Sequence, residues 1–298
     1  MIMNAPVILF AYNRPLHTQK AIASLRKNAE AETTELFIYA DAAPDEAGQA
    51  AVEATRSGLR NVQGFSKVTL IERQTNYGLA RNVIEGVTEV VERYGRVIVL
   101  EDDLVVSPYF LRFMNDALRI YEDEPMVGHI QACDFTNNPL LPPTFLIEWT
   151  GSWGWATWKR AWEKFNPDGK QLLKALQKRG LSRRFDFGGS YPFTRMLRRQ
   201  TQGKNNSWAI RWNASLFLQG MLSLNAGRSL VSNEGLDGSG TNSISGDPYH
   251  SRLWMKPLLV EKISPIAENL AARKILEDYY RRTNSLWARV KKRLLKYF

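Results

Sequence analysis

The feature that most constrains the fold is an alternation of short apolar runs with helix-spaced segments over the first 130 residues. Four runs have the length of strands and end at polar residues: 6–12, 36–40, 67–71 and 96–100. After each run, apolar residues recur at helical spacing or a turn residue marks the start of a helical segment. This alternation is typical of a mostly parallel sheet covered by helices, so we predict an α/β fold.

Polar residues stand where the predicted strands end. Asn13 and Arg14 follow the first strand, Asp41 follows the second, and Glu101-Asp102-Asp103 follows the fourth. Ligands of open α/β sheets bind beyond the carboxyl ends of the strands, so we expect these side chains to converge on one crevice. No Gly-x-Gly-x-x-Gly or Walker-type loop follows these runs, which argues against a dinucleotide-binding dehydrogenase and a P-loop NTPase.

The sharpest candidate for chemistry is the acidic triplet Glu101-Asp102-Asp103. Three adjacent carboxylates repel one another, so a cation or hydrogen-bond donors must offset their charge. Mg²⁺ or Mn²⁺, held by one or two carboxylates and by the phosphates of a substrate, would do so. A solvated acidic turn is the alternative interpretation of the same three residues.

The order of these features resembles the GT-A glycosyltransferases. The resemblance lies in Ala11-Tyr12-Asn13-Arg14-Pro15, in Asp41, in the helix opening at 76–82 and in Glu101-Asp102-Asp103-Leu104. Residues 101–113, followed by Gly151-Ser152-Trp153-Gly154-Trp155, are more specifically similar to the N-acetylglucosaminyltransferase I type and to bacterial family 2-like sugar transferases. The resemblance implies a nucleotide-sugar-binding sheet with an elaborated C-terminal acceptor region.

The resemblance also assigns roles to residues of this chain. It implies that Asp103 binds Mn²⁺ or Mg²⁺ bridging a nucleotide diphosphate, and that Glu101 and Asp102 meet the donor sugar and ribose. It places Asp41 at the uracil or ribose of a UDP-sugar. The other residues that it places at or near the nucleotide are Tyr12, Asn13, Arg14 and Arg81. A cation there would stabilise the charge of the diphosphate leaving group.

Tryptophans dominate the second half of the chain, since all nine lie after position 148. Trp153, Trp155 and Trp208 neighbour Gly or Ser in predicted loops, and aromatic faces of this kind pack well on sugar rings. We therefore expect these three to border the donor sugar and the acceptor. Trp158 and Trp162 are four residues apart on a predicted helix, which favours core packing.

The general base is harder to place. An inverting transferase needs a carboxylate near the acceptor hydroxyl, and the resembled family carries an Asp in the segment that matches Asn206–Ala209. Asp186, between two phenylalanines, is the first candidate. Asp237 and Glu234 are second, in a stretch from 232 to 246 rich in Gly, Ser and Asn that predicts a mobile loop. The absent Asp leaves a catalytically inactive glycan- or nucleotide-binding protein as an alternative.

The net charge of +10 is unevenly distributed along the chain. It is −7 over residues 1–158, +10 over 159–204 and +7 over 281–298. The last block, Arg281–Phe298, has apolar residues three and four apart, which predicts a helix lying on an anionic membrane surface; a helix packed on its own domain is the alternative. Nucleic acid is not an expected partner, because no nucleic-acid module is present and the first half is acidic.

The remaining features indicate a cytoplasmic enzyme, peripheral on the inner face of a bacterial plasma membrane. Cys133 is the single cysteine, which fits a reducing compartment, and neither a spanning apolar run nor a secretory signal is present. We predict a transferase domain over 1–265, divided into a nucleotide-sugar half (1–135) and an acceptor half (136–265), and a basic helical tail over 266–298. The predicted reaction is metal-dependent, inverting transfer from a UDP-sugar to a saccharide or lipid-linked acceptor; a sugar-phosphate nucleotidyltransferase is the alternative enzyme.

Overall fold

A computed structural model of the protein describes residues 4–237 and 251–284. The strands are β1 (Val7–Ala11), β2 (Glu35–Ala40), β3 (Lys67–Glu72), β4 (Arg96–Glu101), β5 (Leu104–Val106), β6 (Val127–Gln131), β7 (Thr144–Ile147), β8 (Trp155–Trp158), β9 (Leu222–Ala226) and β10 (Val231–Asn233). The helices are α1 (Pro15–Leu25), α2 (Glu46–Leu59), α3 (Gly78–Tyr94), α4 (Phe110–Ile120), α5 (Lys159–Trp162), α6 (Gly169–Lys178), α7 (Ser182–Phe185), α8 (Phe193–Thr201), α9 (Trp208–Leu218) and α10 (Leu270–Thr283). Short 3₁₀ turns cover Ala31–Thr33, Phe187–Gly189 and Glu234–Asp237.

The main sheet has the strand order β3-β2-β1-β4-β8-β6-β9-β7. The pairs β3/β2, β2/β1, β1/β4 and β6/β9 are parallel, whereas β8 and β7 run antiparallel to their neighbours. The four strands predicted from the apolar runs are β1 to β4, and each has its predicted position within one or two residues. The predicted α/β class with a mostly parallel sheet is confirmed.

The sheet is buried on both faces because successive side chains of a strand point to opposite sides. Leu9 and Leu100 face the layer formed by α1 and α4. Ile8 and Val99, one residue earlier on each strand, face the layer formed by α3 and α9. Strands buried on both faces are continuously apolar, which explains why β1 and β4 were recognisable as unbroken apolar runs.

A third apolar cluster lies in the second half of the chain. It joins α6, α7, α8 and α10 to strand β7, with Leu172, Phe185, Leu197 and Tyr280 among its buried side chains. Helix α10 lies in the segment predicted to be a basic tail, and its inner face packs on this cluster through Ala272 and Leu276. The predicted domain boundaries remain predictions.

Two parts of the predicted loop structure are wrong. Ser232 and Asn233, assigned to a mobile loop, belong to β10, which pairs antiparallel with β5 in a second small sheet. Trp155 begins β8 and Trp208 begins α9. Residues 238–246, the rest of that predicted loop, lie outside the described residues.

The tryptophans Trp155 and Trp208 are core residues, which corrects their predicted contact with sugar. Their exposed fractions are 1% and 3%, and their rings stack on each other at 5.2 Å. Trp162 and Trp212 pack against the same pair. Glycine and serine neighbours predicted loops here, but strand pairing and helix packing bury these rings instead.

At the centre of this aromatic cluster, Trp212 is fully buried and its Nε1 donates to Nδ1 of His129 at 3.1 Å. Burial lowers the pKa of His129 to about 3, so the imidazole is neutral. Trp212→Ala leaves both a cavity and an acceptor without its donor, so we expect the free energy of unfolding to fall by about 3–5 kcal/mol. Urea denaturation measures this loss.

Leu140→Ala provides the control, because Leu140 is 79% exposed. Its stability should stay within about 0.5 kcal/mol of the parent protein. Equal losses for the two variants would contradict the assignment of Trp212 to the core.

Candidate functional site

The adjacent parallel strands β1 and β4 bring two predicted site segments together, the residues that follow β1 and the acidic triplet. The backbone N–H of Tyr12 donates to Oδ2 of Asp102 at 3.1 Å. Nη1 of Arg14 lies 3.1 Å from Oδ2 of Asp103, with both side chains largely buried. Asn13 stands between them and is partly exposed. The residues after the first strand therefore contact the acidic triplet directly.

The triplet carries more negative charge than its surroundings offset. Burial, followed by the charges of Asp103 and Asp102, raises the pKa of Glu101 to about 8. Burial and the charge of Asp103 raise the pKa of Asp102 to about 7, although the Tyr12 N–H opposes this rise. The pKa of Asp103 is raised by burial even though Arg14 acts in the other direction. A cation binding here would relieve both the desolvation and the mutual repulsion.

A short segment from β10 to the following 3₁₀ turn lies against the triplet. The backbone N–H of Glu234 donates to the carbonyl oxygen of Asp103 at 2.8 Å. A Cβ on Gly235 would overlap the Asp103 carboxylate and would lie 2.7 Å from Nη1 of Arg14. Oε2 of Glu234, a secondary base candidate, is 4.0 Å from Nζ of Lys20. Sequence reasoning missed Gly235, because only the long-range pairing of β10 with β5 brings it here.

Asp41, which follows β2, is a carboxylate of a different kind. Its Oδ1 accepts hydrogen bonds from the N–H groups of Ala42 and Tyr77, and its Oδ2 accepts one from Gly78. These contacts hold the start of α3, where Gly78 has a φ of +68° that favours glycine. Asp41 therefore connects the ends of β2 and β3 and caps a helix, a role that the sequence did not indicate.

Beside Asp41, the ring of Tyr77 lies between two guanidinium groups. The Cζ atom of Arg81 is 3.8 Å from the ring centroid and that of Arg73 is 4.4 Å from it. Arg81 is otherwise exposed and pairs with Glu85 at 2.6 Å. Tyr12 lies near the same place, since burial and then the charge of Asp41 raise its pKa. Tyr77 and Arg73 are further site residues, and Tyr77 was visible within the recognised helix opening.

Trp153 is the predicted aromatic residue that stays partly exposed. Trp155 pairs with Val99 in the antiparallel β8/β4 ladder, so the residues that precede β8 lie at the carboxyl end of β4. Nε2 of Gln131 donates to the carbonyl oxygen of Trp153 at 3.2 Å. Trp153 is therefore located at the same edge as the triplet, whereas Trp155 and Trp208 lie in the core.

Of the base candidates, Glu234 contacts the triplet through its backbone N–H, whereas no contact that the structure describes within residues 4–237 and 251–284 joins Asp186 to it. The carboxylate of Asp186 accepts a hydrogen bond from the N–H of Thr194 at 2.6 Å, which caps the first turn of α8. Burial raises its pKa. Oδ1 of Asn206 accepts from Arg211 at 3.3 Å. The side chain of Asp237 lies outside the described residues, so both base assignments remain predictions.

The donor set fits a hard divalent cation. Carboxylate oxygens are the ligands that Mg²⁺ and Mn²⁺ prefer, and both ions complete their coordination with phosphate oxygens and water. Residues 4–237 and 251–284 contain no preformed group of three His, Cys, Asp or Glu ligands. A cation would therefore depend on Asp103 and on a phosphate-bearing substrate together, and the uncompensated charge of the triplet favours that combination.

The raised pKa values predict how stability depends on pH. Asp102 titrates near 7 in the folded chain and near its ordinary value of 3.8 when unfolded. Its protonated form therefore favours folding, and that contribution is lost as pH rises from about 4 to 8. In metal-free buffer we expect Asp102→Asn to flatten this decline by about 2–4 kcal/mol, measured by urea denaturation across the range.

Asp123→Asn is the matched control, because Asp123 is an exposed carboxylate outside the cluster. Its pH profile should follow that of the parent protein. If the stability of Asp102→Asn depends on pH as that of the parent protein does, the Asp102 carboxylate is not desolvated.

The close approach of Gly235 to Asp103 and Arg14 gives a second prediction. In Gly235→Ala the new methyl group must displace the ion pair or the segment, so we expect a loss of about 1–3 kcal/mol in unfolding free energy. Gly58→Ala is the control, since Gly58 lies within α2 and a Cβ there would be 3.7 Å from its nearest neighbour, Nε2 of Gln19. It should be neutral or stabilising by up to about 1 kcal/mol. A neutral Gly235→Ala would place this segment away from the carboxylates.

Comparisons with known proteins agree with this architecture at the level of family. The sequence model described as glycosyl transferase family 2 matches residues 7–200. A search of curated proteins finds no match.

Structures of three other proteins are among the solved structures that match this chain. The structure of S. aureus TarS is 20% identical to this chain, with a TM-score of 0.31. The match covers 47% of this chain and 23% of that chain, so this chain spans less than a quarter of the TarS chain. A UDP-glucose pyrophosphorylase complexed with UDP-glucose is 11% identical, with 74% and 90% covered and a TM-score of 0.36. Glucosyl-3-phosphoglycerate synthase from Mycobacterium tuberculosis, in complex with Mn²⁺, UDP and glucosyl-3-phosphoglycerate, is 12% identical, with 60% and 67% covered and a TM-score of 0.34.

The family match covers well over half of the chain and includes strands β1 to β4 and the acidic triplet at their carboxyl edge. The chain therefore belongs to glycosyl transferase family 2.

Proposed function

We propose that this enzyme transfers a sugar from a UDP-sugar to a saccharide or lipid-linked saccharide acceptor, with Mn²⁺ or Mg²⁺ and with inversion of configuration. The observation that carries the proposal is the buried triplet Glu101-Asp102-Asp103, whose pKa values are raised by burial and mutual repulsion. An anionic diphosphate can bind beside these carboxylates only if a cation is bound with it. The family assignment favours this reaction over nucleotidyl transfer.

Each residue at the triplet has a separable task in this proposal. Asp103 would hold the cation, which when bound offsets the charge that develops on the diphosphate as the glycosidic bond breaks. Arg14, already 3.1 Å from Asp103, would donate to diphosphate oxygens from the same place. Asp102 fixes the end of β1 through the Tyr12 N–H, and Glu101 would face the donor sugar. The segment at Gly235 would exclude water that could hydrolyse the donor.

The uracil and ribose would lie around Asp41, Tyr12 and Tyr77. Oδ2 of Asp41 accepts one backbone N–H, from Gly78, which leaves it able to accept a second donor such as the N–H of uracil. The ring of Tyr77 already lies between Arg81 and Arg73, so the ring of Tyr12 would supply the apolar face for a base. Arg81 and Asn13 stand at the exposed rim. In this arrangement one carboxylate both caps α3 and selects the nucleotide.

On the acceptor side, Trp153 is the aromatic residue with an exposed surface at the carboxyl end of β4. It would pack on a sugar ring of the donor or acceptor. Asp186 or Asp237 would accept the proton of the attacking hydroxyl, and the role of each remains a prediction. The identities of the donor and acceptor sugars depend on contacts other than those of Asp186 and Asp237.

Location at the inner face of a plasma membrane, through Arg281–Phe298, also remains a prediction. Arg281 lies in α10 and pairs with Asp278 at 2.9 Å, whereas residues 285–298 lie outside the described residues. Among residues 4–237 and 251–284, none of the helices has the length and apolar character needed to cross a bilayer.

Metal-dependent nucleotide binding tests the proposed reaction most directly. We expect calorimetry to show UDP binding that weakens at least about ten-fold, or about 1.4 kcal/mol, when Mn²⁺ is removed. In Asp103→Asn we expect Mn²⁺ to strengthen UDP binding no longer, because the substitution removes the charge of one metal ligand. The side chain keeps its size and shape. GDP, which presents a different base to Asp41, should bind more weakly than UDP.

Asp116→Asn is the control, since Asp116 is a carboxylate of α4 paired with Arg119 on the surface. It should bind UDP and Mn²⁺ as the parent protein does. UDP binding of equal strength with and without Mn²⁺ would contradict the metal assignment, and absence of UDP binding would contradict the nucleotide assignment. Release of UDP from candidate UDP-sugars in the presence of an acceptor then identifies the donor.

A further inference from the structure

The end of α10, which leads into a basic segment of the sequence, lies beside a second basic segment of the chain. Residues 159–204 contain thirteen basic and three acidic residues, and residues 281–298 contain seven basic and no acidic ones. The ring of Tyr280, near the end of α10, lies 4.7 Å from that of Tyr191 and 6.1 Å from that of Phe193. The chain therefore leaves α10 beside the start of α8, within the basic region.

Helix α6 presents a row of lysines on the side opposite to its core contacts. Leu172 and Leu176 are buried, whereas Lys170, Lys174 and Lys178 are exposed. A spacing of four residues aligns these lysines along one face of a helix about 15 Å long. Among residues 4–237 and 251–284, no carboxylate forms an ion pair with any of the three.

Helix α8 extends the same basic face. Arg195, Arg198 and Arg199 are exposed, and the described ion pairs include neither Arg195 nor Arg199. The backbone of Gly169, at the start of α6, is in contact with Gln200 at the end of α8, so a Cβ on Gly169 would overlap that side chain. The contact brings Lys170 close to the last turn of α8. The two helices thus form one surface, which we call the basic face.

We propose that the basic face docks on a bilayer that contains anionic phospholipid. Its charge is complementary to such headgroups, and several exposed cations act together at a membrane surface where single ones would be screened. The segment after α10 adds five basic residues together with Trp287 and Phe298. Large apolar residues between the cations favour a bilayer over a phosphate polymer, because a bilayer has an apolar interior to receive them.

The position of the basic face also sets an orientation for the active site. Residues 202–207 lead from α8 directly to α9, whose Trp208 stacks on Trp155 of β8. Strand β8 follows Trp153, which lies at the edge of the triplet. The basic face thus belongs to the predicted acceptor half of the chain (136–265), and its docking would place that half at the bilayer, where a lipid-linked acceptor lies. This orientation rests on the proposed function, whereas the docking itself does not.

Vesicle sedimentation with the full chain tests the docking. We expect the parent protein to bind vesicles with about 30 mol% phosphatidylglycerol in about 0.1 M salt and to bind pure phosphatidylcholine vesicles only weakly. The triple variant Lys170→Glu, Lys174→Glu and Lys178→Glu should bind the anionic vesicles roughly 100-fold more weakly. Arg195→Gln with Arg199→Gln, tested separately, should also weaken binding and guards against misfolding of the triple variant.

The matched control reverses three exposed lysines elsewhere, at Lys27, Lys67 and Lys262. This variant has the same net charge as the α6 variant and should bind anionic vesicles as the parent protein does. Equal losses in the two triple variants, equal binding to both kinds of vesicle, or binding to polyphosphate but not to vesicles would each overturn the proposal. Calorimetry with UDP and Mn²⁺ on the same variants separates loss of docking from failure of the donor site.

Discussion

The constraint on which the site depends is the burial of Glu101, Asp102 and Asp103 at the end of an apolar strand. Water would stabilise these carboxylates in the unfolded chain, so their raised pKa values record a cost that the fold sustains. Strand β1 reduces that cost by aiming the Tyr12 N–H and the Arg14 guanidinium at the cluster. A cation that binds together with the substrate can offset the remaining negative charge.

Asp41 shows that position at the carboxyl edge alone does not make such a site. It is more buried than the triplet, yet three backbone N–H groups donate to it, two of them at the start of α3. Donors of this kind stabilise the charged form, as does the positive end of a helix. Asp41 is a satisfied carboxylate that organises the edge, whereas the triplet has fewer donors than its charge requires. The two kinds of carboxylate therefore differ in their hydrogen-bond partners more than in their depth.

The parallel half of the fold and its polar edge could be predicted because the relevant signals are local. Strands buried on both faces are continuous apolar runs, and a parallel order brings the residues after them to one edge. Trp155, Gly235 and β10 could not be found this way, because antiparallel pairing joins each to a distant strand. Glycine and serine neighbours favoured loops for Trp155 and Trp208, yet both rings pack into the core, and only Trp153 keeps an exposed surface. The cap that Asp186 forms on α8 was likewise invisible, since it depends on the turn between α7 and α8.

The folded structure shows where charged segments lie relative to one another, which the sequence alone does not show. Along the chain, a basic middle segment and a basic end are separated by a neutral stretch, and the end of α10 lies beside the start of α8. An acidic edge that must accept an anionic nucleotide is disturbed by further negative charge nearby. Docking through the basic face would set the cations of α6 and α8 against the anionic headgroups, and these cations would offset that charge. Screening at physiological salt limits the range of the remaining charge to about 8 Å. One face can then hold an anionic surface while another binds an anionic donor.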